Sequence, residues 1–281
     1  MEAGQQHKKI AFVVQARMNS ERFPGKVLLP LPVKKGKPMI GWIAAQLNEC
    51  SITADFIVAT SIKRSDDPLY EYCVTQGFEC YRGDEQNVLS RFADICRKNH
   101  YDTVVRLTGD NPLLDIPSIE QALVRHIKKK NDYTCTKGLP LGMNVEVVSA
   151  KSIIEADSDS ELTEDEKEHV TLYIKKRASY RKEILDIGDN KNAVDLRLTV
   201  DYPSDFALFS ILLAFYKPPE QTGLNLIEFM LKNHSWIFDI NRQNVQKAQY
   251  ERKEDEIEAA IKILEAADMQ RAADVLESYN A

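Results

Sequence analysis

Apolar residues follow two rhythms along this chain. Residues 10–15 (IAFVVQ), 55–60 (DFIVAT) and 103–107 (TVVRL) are short β-branched or aromatic runs, and 133–136 has the same character. Such runs predict strands. Between them, residues 38–50, 67–76, 87–99 and 118–130 are amphipathic. In the last, Ile119, Leu123 and Ile127 recur at i, i+4 and i+8, a helical stripe. Strands alternating with helices of this length imply βαβ units, a mostly parallel sheet and helices on both its faces.

The pattern changes after about residue 137. Residues 144–149 predict a strand, 164–176 a helix and 194–200 (VDLRLTV) a strand. Residues 203–216 predict a helix that Pro203 opens, where a missing N–H costs nothing. Residues 253–279 are charged and alanine-rich, one amphipathic helix or two. Ile257, Ile261 and Leu264 give them an apolar face for core packing or a subunit partner. The expected organisation is one α/β unit over 1–216 and a helical extension over 217–281. Trp42 and Trp236 are expected in the core.

Of the 281 residues 43% are hydrophobic, enough for a sizeable core, and no apolar run reaches the ~18 residues of a membrane span. The first ten residues, MEAGQQHKKI, do not read as a secretory signal. The net charge of −6 argues against a sequence-independent nucleic-acid binder. Yet residues 8–37 hold many Lys and Arg against Glu21 alone, which suits a small polyanion or, read plainly, a solvated basic face. The five cysteines are odd in number and form no C-x-x-C pair. Neither a disulfide framework nor a zinc site is indicated, and a reducing cytoplasm is the expected compartment.

Ligands of open parallel sheets bind outside the carboxyl ends of the strands. The loop after the first strand is Gln15-Ala16-Arg17-Met18-Asn19-Ser20-Glu21-Arg22-Phe23-Pro24-Gly25-Lys26. Guanidinium groups bind phosphate oxygens bidentately, Lys adds a compact charge, and Gly25 lets backbone N–H groups approach an anion. The loop fits neither the G-x-x-x-x-G-K-[ST] nor the G-x-G-x-x-G template. Beyond the 103–107 run, Thr108-Gly109-Asp110 puts a carboxylate at a strand's carboxyl end, placed to hold Mg²⁺ beside a triphosphate or else to cap a turn. Asp115 reads as a cap of the next helix. Asp201, in TVDYPSD, is either a second metal ligand or a helix-start acid.

The stretches QARMNSERFPGKVL, VATSIKRSDDP, YRGDEQNVLSRF, VVRLTGDNPLLD, NVEVVS, EKEHVTLYI and DLRLTVDYPSD resemble, in order and spacing, the spore-coat polysaccharide biosynthesis protein F family. That family belongs with the CMP-Kdo and CMP-acylneuraminate synthetases, the sugar cytidylyltransferases. The similarity spans roughly 8–216. It implies a nucleotide-diphospho-sugar transferase-like (Rossmann-like) three-layer α/β sandwich with a mixed, mostly parallel sheet. It also implies transfer of CMP from CTP to a sugar or sugar-like acceptor, with release of pyrophosphate, for surface polysaccharide. By the same resemblance Arg17, Arg22 and Lys26 take the triphosphate, with Gln15, Ala16, Asn19, Ser20 and Gly25 beside them. Ala59, Thr60, Ser61, Arg82, Gly83 and Asp84 flank the nucleoside, and Asp110 and Asp201 hold Mg²⁺. Arg17, Lys26, Asp110 and Asp201 are the expected catalytic set. Thr108 stands where the Kdo and sialic acid synthetases have Gln, which puts the chain nearer the spore-coat branch. A homodimer is the habit of the related synthetases.

Acceptor recognition is expected from Gly142, Asn144, Glu146, His169 and Arg197. Three of these carry two readings each: His169 as donor or structural turn residue, Glu146 facing cleft or solvent, Arg197 in the cleft or paired with an acid. Two other functions are weighed. A glycosyltransferase of the related fold would use a D-x-D motif, and the chain's Asp157-Ser158-Asp159 lies in a polar, loop-like stretch. A non-catalytic nucleotide-binding scaffold would dispense with Asp110 or Asp201, and both are present.

Overall fold

The run IAFVVQ forms strand β1 (Ile10–Gln15), and its alternation feeds two cores. Ile10, Phe12 and Val14 pack into one apolar cluster, Ala11 and Val13 into the other. A strand buried on both faces has no polar alternation to show, which is why it reads as a continuous apolar run. The computed structural model describes residues 8–188, 191–244 and 253–280. Its two compact units are Met1–Gln243 and Asn244–Ala281.

In the first unit β1 leads to a ribbon of β2 (Pro30–Leu31) and β3 (Lys37–Pro38), then helix α1 (Met39–Leu47). Next come β4 (Asp55–Ser61), α2 (Asp67–Gln76), β5 (Glu79–Gly83), α3 (Val88–Asn99) and β6 (Thr103–Thr108). They are followed by α4 (Ile116–Lys129), β7 (Tyr133–Lys137), β8 (Glu146–Ser149) and α5 (Ala150–Asp157). One-turn helices α6 (Glu164–Glu168) and α7 (Leu172–Lys176) precede β9 (Lys182–Asp186), α8 (Lys191–Val194), α9 (Pro203–Leu212) and α10 (Gly223–His234).

The seven-stranded sheet has the order β5-β4-β1-β6-β8-β7-β9. Neighbours are parallel except around β8, which runs antiparallel to both β6 and β7. The chain lays β4 and β5 on one side of β1 and β6 on the other. That reversal opens a crevice at the carboxyl ends of β1 and β6, where such sheets hold ligands. Asp115 caps α4 as expected, its carboxylate accepting from Ser118 N at 3.1 Å. The stripe on α4 also holds, with Ile119 and Leu123 buried and Ile127 packed against the same core.

Several predicted elements take another form. Residues 194–200 make no strand. Leu198 N donates to Leu141 O at 2.7 Å and Val200 N to Asp110 O at 2.9 Å, so the segment is pinned between two loops instead of joining a ladder. The helix expected over 164–176 breaks at His169, because burying Val170 and bringing Thr171 to Glu146 requires a non-helical turn. Trp236 is 61% exposed, in a 3₁₀ turn whose Ile237 and Phe238 take the buried places; Trp42 is partly buried and donates to Leu31 O at 2.6 Å.

The boundary expected at 216 falls inside the first unit. Leu226, Ile227, Met230, Ile237 and Phe238 share the apolar cluster of Phe12 and Val14. In the second unit the charged tail is two helices, α11 (Lys253–Ala266) and α12 (Gln270–Asn280), with Ile257, Ile261 and Leu264 half-buried. Among the described residues no helix is long and apolar enough to cross a membrane.

Candidate functional site

The loop after β1 folds back on itself. Gly25 N donates to Met18 O at 2.8 Å, and Met18 N donates to the buried Asp66 at 2.7 Å. Gly25 sits at φ 73°, a left-handed conformation that glycine adopts at little cost. The turn it makes sends the next side chain, Lys26, inward until only 5% of the residue is exposed.

Lys26 Nζ lies 3.1 Å from Asp201 Oδ1 and 3.5 Å from Asp110 Oδ2, and it donates to Val200 O. Three segments distant in sequence therefore meet at one ammonium group. Arg22 joins from the rim: Nη2 is 3.1 Å from Asp201 Oδ1, and the guanidinium stacks 4.8 Å from the Tyr202 ring centroid. Burial by itself would raise the Asp201 carboxyl, but Lys26, Arg22 and Arg197 outweigh it and hold the group below the usual carboxylate range. Arg17 is exposed and has no carboxylate partner among the described residues. Asn19 is also exposed and Ser20 half-buried.

Behind this cluster stands a second layer. Arg197 Nη2 is 2.7 Å from Asp201 Oδ2, and its Nε is 3.1 Å from Asp205 Oδ1. Asp205 is fully buried; it accepts from the backbone of Asp201 and Tyr202 and from Asn241 Nδ2 at 2.8 Å. Arg197 thus takes the acid-paired one of its two readings.

Asp110 and Asp201 offer carboxylate oxygens, the kind of donor that a hard divalent cation takes beside substrate phosphates. Among the described residues no group of three His, Cys, Asp or Glu gathers to hold a metal, so two carboxylates would leave positions for phosphate oxygens and water. Gly109 N donates to Gln15 O at 2.8 Å, and a Cβ on Gly109 would lie 2.8 Å from that of Ala16. The close approach draws the two loops together.

On the other flank, Ala59, Thr60 and Ser61 are buried, Ser61 donating to Asp66. Arg82 is committed to Ser61 O at 2.9 Å, Lys63 O at 2.8 Å and Asp67 at 2.8 Å. Asp84 accepts from Gln86 N and Asn87 N and turns the chain into α3. These side chains build the rim that the resemblance gives to the nucleoside. Sequence reasoning passed over Asp66, which anchors both loops, and Arg91, which is buried beneath the rim. The available signal for Arg91 was a charge on the apolar stripe of α3, three residues after Val88 and four before Ile95.

A cavity of about 500 Å³ opens beside Asn111, lined by Thr108, Gly142, Asn144, Glu146, Arg106 and Lys175 among others. Glu146 Oε2 is 2.6 Å from Arg106, and Oε1 accepts from Tyr133 at 2.6 Å and from Lys175. Thr171 Oγ1 donates to Glu146 at 3.1 Å. Burial opposes ionisation of Glu146, yet Arg106 and Lys175 hold it down at about 2. Glu146 therefore faces the cleft as a bound anion. His169, half-buried at the end of α6, does not line this cavity, and neither does Arg197. The D-x-D acids are engaged elsewhere: Asp157 with Arg97 at 2.8 Å, and Asp159 with the Tyr173 hydroxyl at 2.6 Å.

A family model described as cytidylyltransferase matches residues 11–234. The spore coat polysaccharide biosynthesis protein SpsF of Bacillus subtilis (strain 168) is 34% identical over 226 residues, which cover 79% of this chain and 92% of that protein. A 3-deoxy-manno-octulosonate cytidylyltransferase of Psychrobacter sp. (strain PRwf-1) is 31% identical over 118 residues, 40% of each. Among solved structures, a cytidylyltransferase from Leptospira borgpetersenii serovar Hardjo-bovis (strain JB197) superposes with a TM-score of 0.74. It covers 86% of this chain and 100% of that one at 24% identity, a likeness of fold.

Proposed function

The chain belongs to the cytidylyltransferase family, and from that premise we propose that it transfers CMP from CTP to a sugar or sugar-like acceptor that feeds surface polysaccharide. It is a CTP-dependent nucleotidyltransferase. The observation that carries our assignment of the site is the convergence of Asp110, Asp201 and Lys26 at the crevice between β1 and β6.

In this reading Arg17, Arg22 and Lys26 hold the triphosphate, whose charge they match in kind and in geometry. An acceptor oxygen attacks the α-phosphorus. The bond to the β-phosphate oxygen breaks, pyrophosphate leaves in line, and a hydroxyl acceptor gives up its proton. Asp110 and Asp201 would hold a divalent cation, Mg²⁺ in our reading, which supplies positive charge against the charge building on the phosphoryl oxygens. Arg197 and Asp205 fix the direction of Asp201. Positioning and electrostatics account for most of the rate.

The acceptor lies in the cavity beside Gly142 and Asn144. Arg106, Lys137 and Lys175 against Glu146 leave the lining positive, even with Lys137 paired to Asp186 outside it, which favours an acceptor bearing an acid group. The first unit carries the reaction. A homodimer and a cytoplasmic location complete the proposal; light scattering and cell fractionation test them.

The deciding experiment measures thermal stabilisation by CTP, UTP, ATP and GTP, with and without Mg²⁺. A ligand at a hundredfold excess over Kd adds about 2.7 kcal/mol. We expect a Mg²⁺-enhanced shift with CTP, followed by pyrophosphate release when acidic sugars are supplied. No shift with any nucleotide would overturn the proposal, and a shift with nucleotide-sugars alone would favour a glycosyltransferase.

A further inference from the structure

Arg91 lies on the buried face of α3, only 4% exposed. A guanidinium removed from water normally sits against a carboxylate, since burying an unpaired charge is costly. Among the described residues Arg91 has no ion pair. Its Nε is buried without any partner. Its other contacts are two long bonds to backbone carbonyls, Nη1 to Ala59 O and Nη2 to Glu85 O, both at 3.4 Å. Such a side chain is under-satisfied where it stands.

Its surroundings locate it. Ala59 O also accepts from Ala16 N at 3.1 Å, so the guanidinium shares an acceptor with the root of the loop after β1. A Cβ on Gly83 would lie 2.7 Å from Arg91 Cγ, so the absence of a side chain there makes room for the arginine stem. Arg91 thus sits between the ends of β4 and β5, the two segments that the family resemblance gives to the nucleoside. The other charged groups of that rim, Arg82 and Asp84, are already committed to backbone and to Asp67. Burial pulls the Arg91 guanidinium down from its ordinary value, with nearby Arg17 adding to the effect and Asp66, Asp84 and Glu85 opposing it.

We propose that Arg91 reads the base of the nucleotide, donating to the adjacent O2 and N3 acceptors of cytosine. The inference rests on the cytidylyltransferase reading of the site. A guanidinium offers parallel N–H donors in a rigid fork. Cytosine presents two neighbouring acceptors to such a fork, whereas uracil presents O2 beside an N3–H donor and meets it with donor against donor. Rejecting a ligand by leaving buried polar groups mismatched is the strongest form of such discrimination. Arg91 is then a specificity-determining residue, and Arg17, Arg22 and Lys26 keep the phosphates.

The test is calorimetric titration of the full chain with CTP, UTP and inorganic triphosphate in the presence of Mg²⁺, for wild type, Arg91→Gln and Arg91→Lys. Wild type should prefer CTP to UTP. Arg91→Gln should weaken CTP about 10- to 100-fold, with UTP and inorganic triphosphate little changed, so that the CTP/UTP preference collapses. Arg91→Lys keeps the charge but not the fork; it should also lose the preference, and it carries the test if Arg91→Gln fails to fold. Equal weakening of CTP and UTP, or parallel loss of triphosphate binding, would overturn the role and assign Arg91 to packing or to phosphate. Wild type that binds CTP, with variants that keep its preference, would sink the Arg91 role alone. Wild type that binds none of the three would remove the nucleotide reading with it.

Discussion

Asp110 and Asp201 differ in what surrounds them, and the difference predicts how each fails. Asp110 is one-third exposed at its side chain and, among the described residues, pairs with Lys26 alone, so Asp110→Asn should keep the fold. Its effect falls on turnover, which we expect to drop about 10²- to 10³-fold in kcat, read by pyrophosphate release. Arg17→Ala should act likewise, since the exposed Arg17 side chain has no ion-pair partner among the described residues. His126 shows the same logic without catalysis. It is buried between α4 and β7, with Nδ1 3.1 Å from Thr134 Oγ1, and burial, with Lys8 adding, pulls it from 6.5 down to about 4. The unfolded chain takes up a proton near 6.5 that the folded one refuses. Stability is therefore complete above pH 6.5 and falls as pH drops towards 4. Between pH 7.5 and 5 the loss is on the order of 2 kcal/mol, measurable by urea titration, and His126→Gln should flatten it. Glu146 extends the acid limb: its contribution is complete above 4.5 and lost as pH falls towards 2.

At the scale of elements, Asp205 closes the first turn of α9, pairs with Arg197 and receives Asn241. Asp205→Ala removes one of the two carboxylates that pair with the buried Arg197 and the buried acceptor of Asn241, leaving Asp201 to hold the cation alone, a loss on the order of 3 kcal/mol. Denaturant midpoints should show that loss, with activity falling further because Asp201 loses its support. This role is also where sequence reading stops. β1, β4, β6 and α4 were legible because strands buried on both faces and an amphipathic helix write their burial directly into periodicity. β5 (ECYRG) and β9 (KEILD) are edge strands with half-exposed or polar faces, and they leave no such mark. The 194–200 segment alternates like a strand, but its partners, Leu141 and Asp110, are loop residues that no local pattern reveals. In the same way, the loop carrying Arg17, Arg22 and Lys26 announced itself by charge, whereas Arg197 became an interior support only through folding.

For the whole molecule, the position of α10 decides where the chain can be cut. Leu226, Ile227 and Met230 are fully buried, and each such side chain contributes about 1.5–3 kcal/mol against the 5–15 kcal/mol total of a typical domain. A chain ending at residue 216 should therefore show no cooperative unfolding. One ending at 243 should unfold cooperatively and keep its CTP-dependent stabilisation, as scanning calorimetry of the two would show. Asn241 sharpens the contrast, because its bond to Asp205 ties the end of that unit to the support of Asp201.

The reversed strand β8 has a consequence of a different kind. Because β7 and β8 are antiparallel neighbours, they are joined by a hairpin, and that hairpin supplies Gly138, Leu139, Gly142, Met143 and Asn144 to the cavity wall. The hairpin gives no side chain to the ion pairs of Lys26, Asp110 and Asp201, and its tie to their support is through backbone, Leu141 O accepting from Leu198 N. A lineage that exchanges this one hairpin can acquire a new acceptor while inheriting its nucleotide machinery intact. Descent within such a fold would then leave the β1 loop nearly constant and the 138–145 segment diverse, and a designer seeking a new product has the same short stretch to rewrite.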